Sequence, residues 1–585
     1  LTLRQPLQLE LGGWLPEIEI VYETYGQLSP DRDNAVLVCH ALSGDSHVAR
    51  HDPHDDPGWW DIAVGAGKAI DTDRYCVICP NVLGGCRGTT GPNSMAPGTG
   101  RPYGTSFPTI TIGDMVEVQR RLIDHLQIDR LLAVVGGSMG GHMVLTWAVR
   151  FPERLAGAIG LATSPRLTSQ AVAFDVVGRN AILRDPAYQD GQYYTNGSRP
   201  AVGLAIARML GHITYLSGEA MTQKFDRCRL SARNVGSQFE TRFAVGSYLA
   251  HQGDRFVDRF DANSYLTLTT ALDLFDLGAR PQDLAATLRR SQCRWLLASF
   301  SSDWLFPPFQ SREIVDTLLG AGKRVSYCNV QSDCGHDAFL LPDNLAVYGE
   351  LMRAFMDELE GGGRPTWNIG PAPASSDRRD FRPTSIFRPR RLDYDSIVGL
   401  IPPAASVLDL GCGTGGLLAR LRQRGHERLM GMEIDEHAIL TCVRRGLDVI
   451  HGDLNQGLSA FAENQVDVVV LSQTLQAVVE VEKLIGEMLR VGRQVIVSFP
   501  NIAYRDLRTE LAVEGRAPRI PGAGEFRWYD TPSLRFLSLS DFEQFCAERG
   551  VRVARRIALN TASGLEVHED PNANADLAIF VISRK

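Results

Sequence analysis

No stretch of this chain is apolar for long enough to cross a bilayer, which excludes a helical membrane span. Basic excess is missing too. The 60 Lys and Arg are outnumbered by 68 Asp and Glu, the net charge is -8, and no long basic run occurs. That balance argues against a nucleic-acid footprint. The first residues lack the charged start and apolar core of a secretory leader. Leu1 stands where Met is usual, the pattern expected of a trimmed or incomplete start. The 11 cysteines are odd in number and irregularly spaced, so no disulfide framework is predicted. Cys76-Val77-Ile78-Cys79 has redox or zinc spacing but lies in a strand-like run without a second pair, so buried thiols are expected. His47, His51 and His54 cluster near Asp52, Asp55 and Asp56; a solvated loop is the favoured reading, and no metal is expected. Asn196-Gly197-Ser198 is a sequon without meaning in the cytoplasm, where this composition places the protein.

The 585 residues exceed one ordinary domain. Strand-like apolar runs alternate with amphipathic segments in two blocks, which predicts α/β architecture with parallel sheets covered on both faces. A Gly-, Pro- and Ser-rich stretch separates the blocks. The division reads as 1–360, a linker at 361–384, and 385–585. Within the first block, about 165–290 is helical in pattern and interrupts the alternation.

Chemistry concentrates at Gly136-Gly137-Ser138-Met139-Gly140. An apolar run, Leu131 to Val135, precedes it, and an amphipathic segment, His142 to Arg150, follows. Strand, Gly-x-Ser-x-Gly, helix is the context of a nucleophile elbow, in which the serine stands exposed above the sheet. In that arrangement the acid and then the histidine follow in the chain. Asp303, after Leu296 to Phe300, is the acid candidate. His336, between a strand-like run at Val325 to Val330 and a helix-like run at Leu345 to Leu359, is the base candidate. Both stand at strand C-terminal ends, where α/β sites gather. His336 would take the Ser138 proton, and Asp303 would fix the imidazole tautomer. The tetrahedral oxyanion needs backbone donors. Met139 N–H, next to the nucleophile, and Leu42 N–H, in the loop after Ala35 to Cys39, are the candidates.

The surrounding segments resemble the homoserine O-acyltransferases of the MetX type. The resemblance rests on Val21-Tyr22-Glu23-Thr24-Tyr25-Gly26, His40-Ala41-Leu42-Ser43-Gly44-Asp45-Ser46-His47, Asn81 to Pro92, the elbow itself and Gly335-His336-Asp337-Ala338-Phe339. It runs from about Leu7 to Leu359. It implies an α/β-hydrolase fold with an inserted helical lid, and acyl transfer from acyl-CoA to the homoserine hydroxyl through an acyl-Ser138 intermediate. It further implies Arg208 for the substrate carboxylate, Asp337 for its ammonium, and a homodimer formed through the lid. Succinyl-using members tend to carry arginine two residues after the triad acid; here that residue is Leu305, which favours acetyl-CoA. Succinyl transfer, a serine acceptor on the same fold and simple ester hydrolysis are the competing readings.

In the second block, Ser406 to Leu410 reads as a strand running into Gly411-Cys412-Gly413-Thr414-Gly415-Gly416 and a helix. With Asp409 before the glycines and Gly431-Met432-Glu433-Ile434-Asp435 closing the next strand, this resembles the S-adenosylmethionine pocket of Rossmann-like class I methyltransferases. Glu433 or Asp435 would accept ribose hydroxyls, and Asp453 follows the third strand where the adenine contact falls. More specifically, about Arg391 to the end resembles the MetW family, through Gln456-Gly457-Leu458, Leu471 to Val478, Ser498-Phe499-Pro500-Asn501 and Trp528-Tyr529-Asp530-Thr531-Pro532. No acceptor motif for methyl transfer follows the fourth strand, so a supporting or regulatory role is expected at least as readily as catalysis, with S-adenosylmethionine-dependent methyl transfer as the more distant alternative.

Overall fold

The computed structural model describes residues 1–195, 197–226, 243–361, 391, 393–517 and 534–585. The chain divides into two compact units, Leu1–Gly363 and Arg364–Lys585. The expected linker lies outside the described residues except for Gly361, as do the Trp528–Pro532 motif, Asn196 of the sequon and part of the 165–290 segment.

The first unit is built on β1 (Tyr22–Tyr25), β2 (Ala35–Cys39), β3 (Cys76–Pro80), β4 (Leu131–Gly137), β5 (Leu155–Leu161), β6 (Arg294–Phe300) and β7 (Val325–Val330), in the order β1-β3-β2-β4-β5-β6-β7. Strands β2 to β6 are buried almost throughout, as sheets covered on both faces require. Covering helices include α1 (Ile112–His125) and α2 (Met139–Arg150). Thr111 starts α1 with a capping box completed by Asp114.

Register sets the active ends level. Gly136 pairs with Cys39, so the loop that begins at His40 runs beside Ser138. Phe300 pairs with Val330, so the segments carrying Asp303 and His336 leave the sheet together. Between β5 and β6 the described residues form α3 (Ser169–Leu183), α4 (Ala201–Tyr215), α5 (Gly218–Phe225), α6 (Ala244–Arg259), α7 (Ala262–Asp273) and α8 (Pro281–Leu288). Two helices, α9 (Pro308–Gly320) and α10 (Leu345–Glu360), complete the unit.

The second unit contains α11 (Asp393–Leu400), β8 (Val407–Leu410), α12 (Gly416–Gln423), β9 (Leu429–Glu433), α13 (Glu436–Arg444), β10 (Asp448–His451), β11 (Val466–Ser472), α14 (Val481–Val491), β12 (Gly492–Pro500), α15 (Arg505–Thr509), α16 (Leu539–Glu548), β13 (Arg552–Asn560), β14 (Leu565–Glu566) and β15 (Leu577–Ser583). The order is β14-β13-β15-β12-β11-β8-β9-β10. The strands from β10 through β8 to β12 follow the doubly wound dinucleotide order.

Neither sheet is wholly parallel, which corrects the expectation. β1 runs antiparallel to β3 at the edge of the first sheet. β15 returns from β13 by way of β14 and a short helical turn at Pro571–Asn574, and inserts antiparallel between β13 and β12. A returning strand of this kind needs no crossover helix, so strand–helix alternation could not announce it.

Candidate active site

Ser138 holds an unusual backbone conformation, φ 57° and ψ -125°, between the end of β4 and the start of α2. Its N–H donates to the Leu161 carbonyl at 3.0 Å, and its carbonyl accepts from His142 N–H at 3.2 Å. A Cβ on Gly140 would collide with the Cys39 carbonyl, so glycine lets the turn close against β2. The serine side chain does not cap α2. It donates to His336 Nε2 instead, at 2.8 Å.

His336 Nδ1–H donates to Asp303 Oδ2 at 2.8 Å, and the Asp303 side chain is wholly buried. Asp303 Oδ1 accepts from the N–H groups of Leu305 (3.0 Å) and Phe306 (2.9 Å). Burial alone would depress the His336 pKa; the Asp303 carboxylate outweighs it and holds the ring above its usual value. The Phe306 ring meets His336 edge-on, with centroids 4.9 Å apart. Gly335, at φ +77°, brings the histidine turn against the segment joining α4 and α5, where a Cβ would lie 2.5 Å from Ser217 N.

Ser138 and His336 face a cavity of about 70 Å³ also lined by Leu42, Tyr215, Leu305 and Asp337. Met139 is the first residue of α2, so its N–H has no partner within the helix. Arg208, on α4, sends Nη1 to Ser43 Oγ at 3.5 Å and stacks its guanidinium over Phe256 at 4.7 Å. Burial raises the Asp337 pKa, while His336 and Arg208 pull it the other way. Asp337 caps no helix: Asn344 occupies the N-cap of α10.

Two further groups line or underlie this site without having been read from the sequence. His142, one turn beyond Ser138, is fully buried, stacked on Phe275 at 4.2 Å and bonded through Nε2 to Ser164 Oγ at 3.1 Å. Burial holds it down to about 3, so it is neutral. Its position at i+4 from the nucleophile was a usable signal. Asp175, on α3, lines the cavity and is pushed up to about 8 by burial and by Asp273, which also pairs with Arg179. Nothing in the local sequence distinguishes it from a solvated helix acid.

Within the second unit, β8 leads through Gly411 (φ +65°), Gly413 and Gly415 into α12. Asp409 is buried, which raises its carboxyl to about 7 against the opposing pull of Arg391. Glu433 Oε2 accepts from Gly413 N–H at 2.7 Å. Its Oε1 accepts from Ile434 N–H (2.8 Å) and Asp435 N–H (3.1 Å). Asp435 instead caps α13 through Ala438 N–H at 2.8 Å, which leaves Glu433 as the acid at the glycine turn. His451 pairs with Glu433, and Asp453 follows two residues later, bonded to Asn455 N–H at 2.9 Å. A buried group that sequence reasoning passed over, Arg391–Asp393–Ser472, ties the end of β11 to α11. Cys76 and Cys79 are both buried in β3.

Sheet order, strained serine turn and hydrogen-bonded Ser–His–Asp chain define an α/β-hydrolase-class protein joined to a Rossmann-like unit. Family models agree: one for the α/β hydrolase fold matches residues 34–343, and one described as methionine biosynthesis protein MetW matches 391–582. Over 596 aligned positions the chain is 51% identical to a bifunctional methionine biosynthesis protein MetXA/MetW of Rhodopirellula baltica, covering 100% of this chain and 93% of that protein. The chain belongs to this MetXA/MetW family. Its first unit is also similar to a homoserine O-succinyltransferase of Alkalilimnicola ehrlichii (51% identity; 60% of this chain, 92% of that one). A homoserine O-acetyltransferase of Solidesulfovibrio magneticus stands at 53% identity, over 60% of this chain and 89% of that one. Among solved structures, the homoserine O-acetyltransferase of Bacillus anthracis matches at 28% identity and TM-score 0.57, over 61% of this chain and 96% of that one.

Proposed function

We propose that this protein transfers an acetyl group from acetyl-CoA to the side-chain hydroxyl of L-homoserine. The observation that carries the reading is the unbroken Ser138–His336–Asp303 hydrogen-bond chain, 2.8 Å at each link, opening on a cavity that Asp337 also lines. His336 takes the Ser138 proton as Oγ attacks the thioester carbonyl. The oxyanion is held by Leu42 N–H and Met139 N–H. Collapse of the intermediate expels the CoA thiolate, which receives the proton from His336, and leaves acetyl-Ser138. His336 then deprotonates the homoserine hydroxyl, which attacks the acyl carbon, and returns that proton to Ser138 Oγ as the acyl–serine bond breaks. Arg208 holds the substrate carboxylate and Asp337 its ammonium.

Acetyl is favoured over succinyl because Leu305 presents an apolar side chain to the cavity, and a buried succinyl carboxylate needs a partner. The relative named as a succinyltransferase keeps the second donor as the runner-up. CoA release from acetyl-CoA and succinyl-CoA, each with and without homoserine, tests both statements. Homoserine-dependent release with acetyl-CoA is expected. Release indifferent to homoserine makes the protein a thioesterase or a transferase to another acceptor. Release faster with succinyl-CoA reverses the donor.

For the second unit we assign an S-adenosylmethionine-type pocket at Asp409, Gly411, Gly413, Glu433 and Asp453, serving a supporting or regulatory role. Glu433 beside the glycine turn supports it. Calorimetric titration with S-adenosylmethionine tests the assignment, and absence of heat removes it. The reading also takes the protein to be a cytoplasmic homodimer, which light scattering checks for the second part.

A further inference from the structure

The loop beyond Ser43 turns back on the edge strand β1 and brings three side chains to one point. Glu23 Oε2 lies 2.9 Å from His47 Nδ1 and 2.9 Å from His51 Nε2. One ligand-type atom from each of the three falls within 4.8 Å of the others. We propose that Glu23, His47 and His51 form a binding site for a divalent transition-metal ion of the zinc type, outside the acyl-transfer cavity.

The donor set selects the ion. Two imidazoles and one carboxylate suit zinc and its first-row neighbours, whereas magnesium and calcium prefer oxygen alone. Each ligand is already held from outside. His47 Nε2 is 2.8 Å from the Asp56 carbonyl, the outer acceptor that fixes a ligating histidine in the tautomer with Nδ1 turned inward. Tyr25 O–H donates to Glu23 Oε2 at 2.7 Å, and Ser46 O–H donates to Oε1 at 3.3 Å. His51 stacks flat on Tyr25, with centroids 4.4 Å apart and planes 8° apart, which sets its ring direction.

Without an ion, His47 Nδ1 and His51 Nε2 approach the same carboxylate oxygen. A metal takes each ring in its neutral form: His47 keeps its proton on Nε2 against the Asp56 carbonyl and gives any Nδ1 proton to solvent, while His51 carries its proton on Nδ1. Bonds of about 2.0–2.1 Å in tetrahedral array put neighbouring ligand atoms about 3.3 Å apart. The two 2.9 Å N···O spacings therefore open by a few tenths of an ångström, and the His47 and His51 nitrogens, within 4.8 Å of each other, draw together on the ion. Glu23 and His47 side chains keep 26% of their surface exposed and His51 47%, so solvent reaches the cluster and a water can complete the coordination. The sequence pattern had grouped His54 with His47 and His51. The structure drops His54 from the set and supplies Glu23, which lies too far away in sequence to be seen as a partner. The bound ion would tie β1 to the segment that follows Leu42.

The test uses the full chain stripped with a chelator and dialysed. Zinc is titrated against a chromophoric competitor, and cobalt is added separately for its visible absorption. One zinc per chain is expected for the unaltered protein and for His54→Ala. His51→Ala, a change at a half-exposed side chain, should weaken zinc by at least about tenfold, as should Glu23→Gln. Thermal unfolding should rise with zinc in the unaltered protein and not in His51→Ala. The proposal is overturned if the unaltered chain holds no zinc, or if His51→Ala binds it as tightly.

Discussion

Asp303 and His336 form a pair in which the acid has no oxygen left for solvent: Oδ2 accepts from the imidazole, and Oδ1 accepts from Leu305 and Phe306 N–H. The arrangement fixes the carboxylate plane and thereby the direction of the ring. It also makes protonation favourable, because the positive imidazolium faces a buried negative charge.

Activity and stability should therefore respond to pH in opposite senses. The folded pKa of His336 lies above 6.5, and the base must be neutral to act. Acyl transfer should fall on acidification with a midpoint above about 6.5. The stabilising contribution of the pair is complete below the unfolded pKa and is lost as pH rises through the folded one. A kcat/KM profile and urea melts across the same range check both limbs. An acid limb well below 6.5 would contradict the assigned base.

Ser138 is held where an L side chain is strained, at φ 57°. Strain of this kind is worth about 1–3 kcal/mol, against about 0.5–1 kcal/mol for the extra freedom glycine has when unfolded. Ser138→Gly should thus be no less stable than the parent, and more stable by up to about 2 kcal/mol. Its acyl transfer should drop by at least about 10⁴-fold. Chemical denaturation and CoA release measure the two effects, and a clearly destabilised Ser138→Gly would count against stored strain.

Arg208 and Asp337 are assigned to the acceptor alone. Arg208→Ala and Asp337→Asn should raise the KM for homoserine by about 10–100-fold, the worth of a charged hydrogen bond. Acylation of Ser138 by acetyl-CoA without homoserine should persist, seen as a burst of CoA equal to the enzyme. Loss of that burst in both variants would mean that they act on the nucleophile.

The side chain of Leu305 lines the cavity, while its backbone N–H serves Asp303; the proposed donor preference rests on that side chain. Leu305→Arg keeps the backbone and adds a cation. The ratio of kcat/KM for succinyl-CoA over acetyl-CoA should rise by at least about tenfold. An unchanged ratio would move donor selection away from Leu305, to the lid helices.

Residues at strand ends were readable because chain order and sheet register carry the same information. Ser138, Asp303 and His336 each follow a buried apolar run, and pairing of Gly136 with Cys39 and Phe300 with Val330 makes those runs end together. Contacts between elements distant in sequence left no such trace. Asp175 meets Asp273 across two helices far apart in sequence, and Glu23 meets His47 and His51 across a loop. The antiparallel strands escaped for a related reason. Periodicity reports that a segment is a strand but not the direction from which it enters the sheet. In the second unit, Glu433 and Asp435 were equivalent by sequence; the Ala438 cap on Asp435 and the Gly413 N–H on Glu433 separate them.

Glu433 offers room for about four donors as a carboxylate, and three backbone N–H groups already occupy it: Gly413, Ile434 and Asp435. It can accept one more. A ligand that presents a single hydroxyl fits without disturbing the chain, whereas a vicinal diol that donates both hydroxyls to this carboxylate displaces one of the three amides. Recognition of a diol at this carboxylate is thus an exchange and not an addition, and the evicted amide proton should trade with solvent faster when the site is filled.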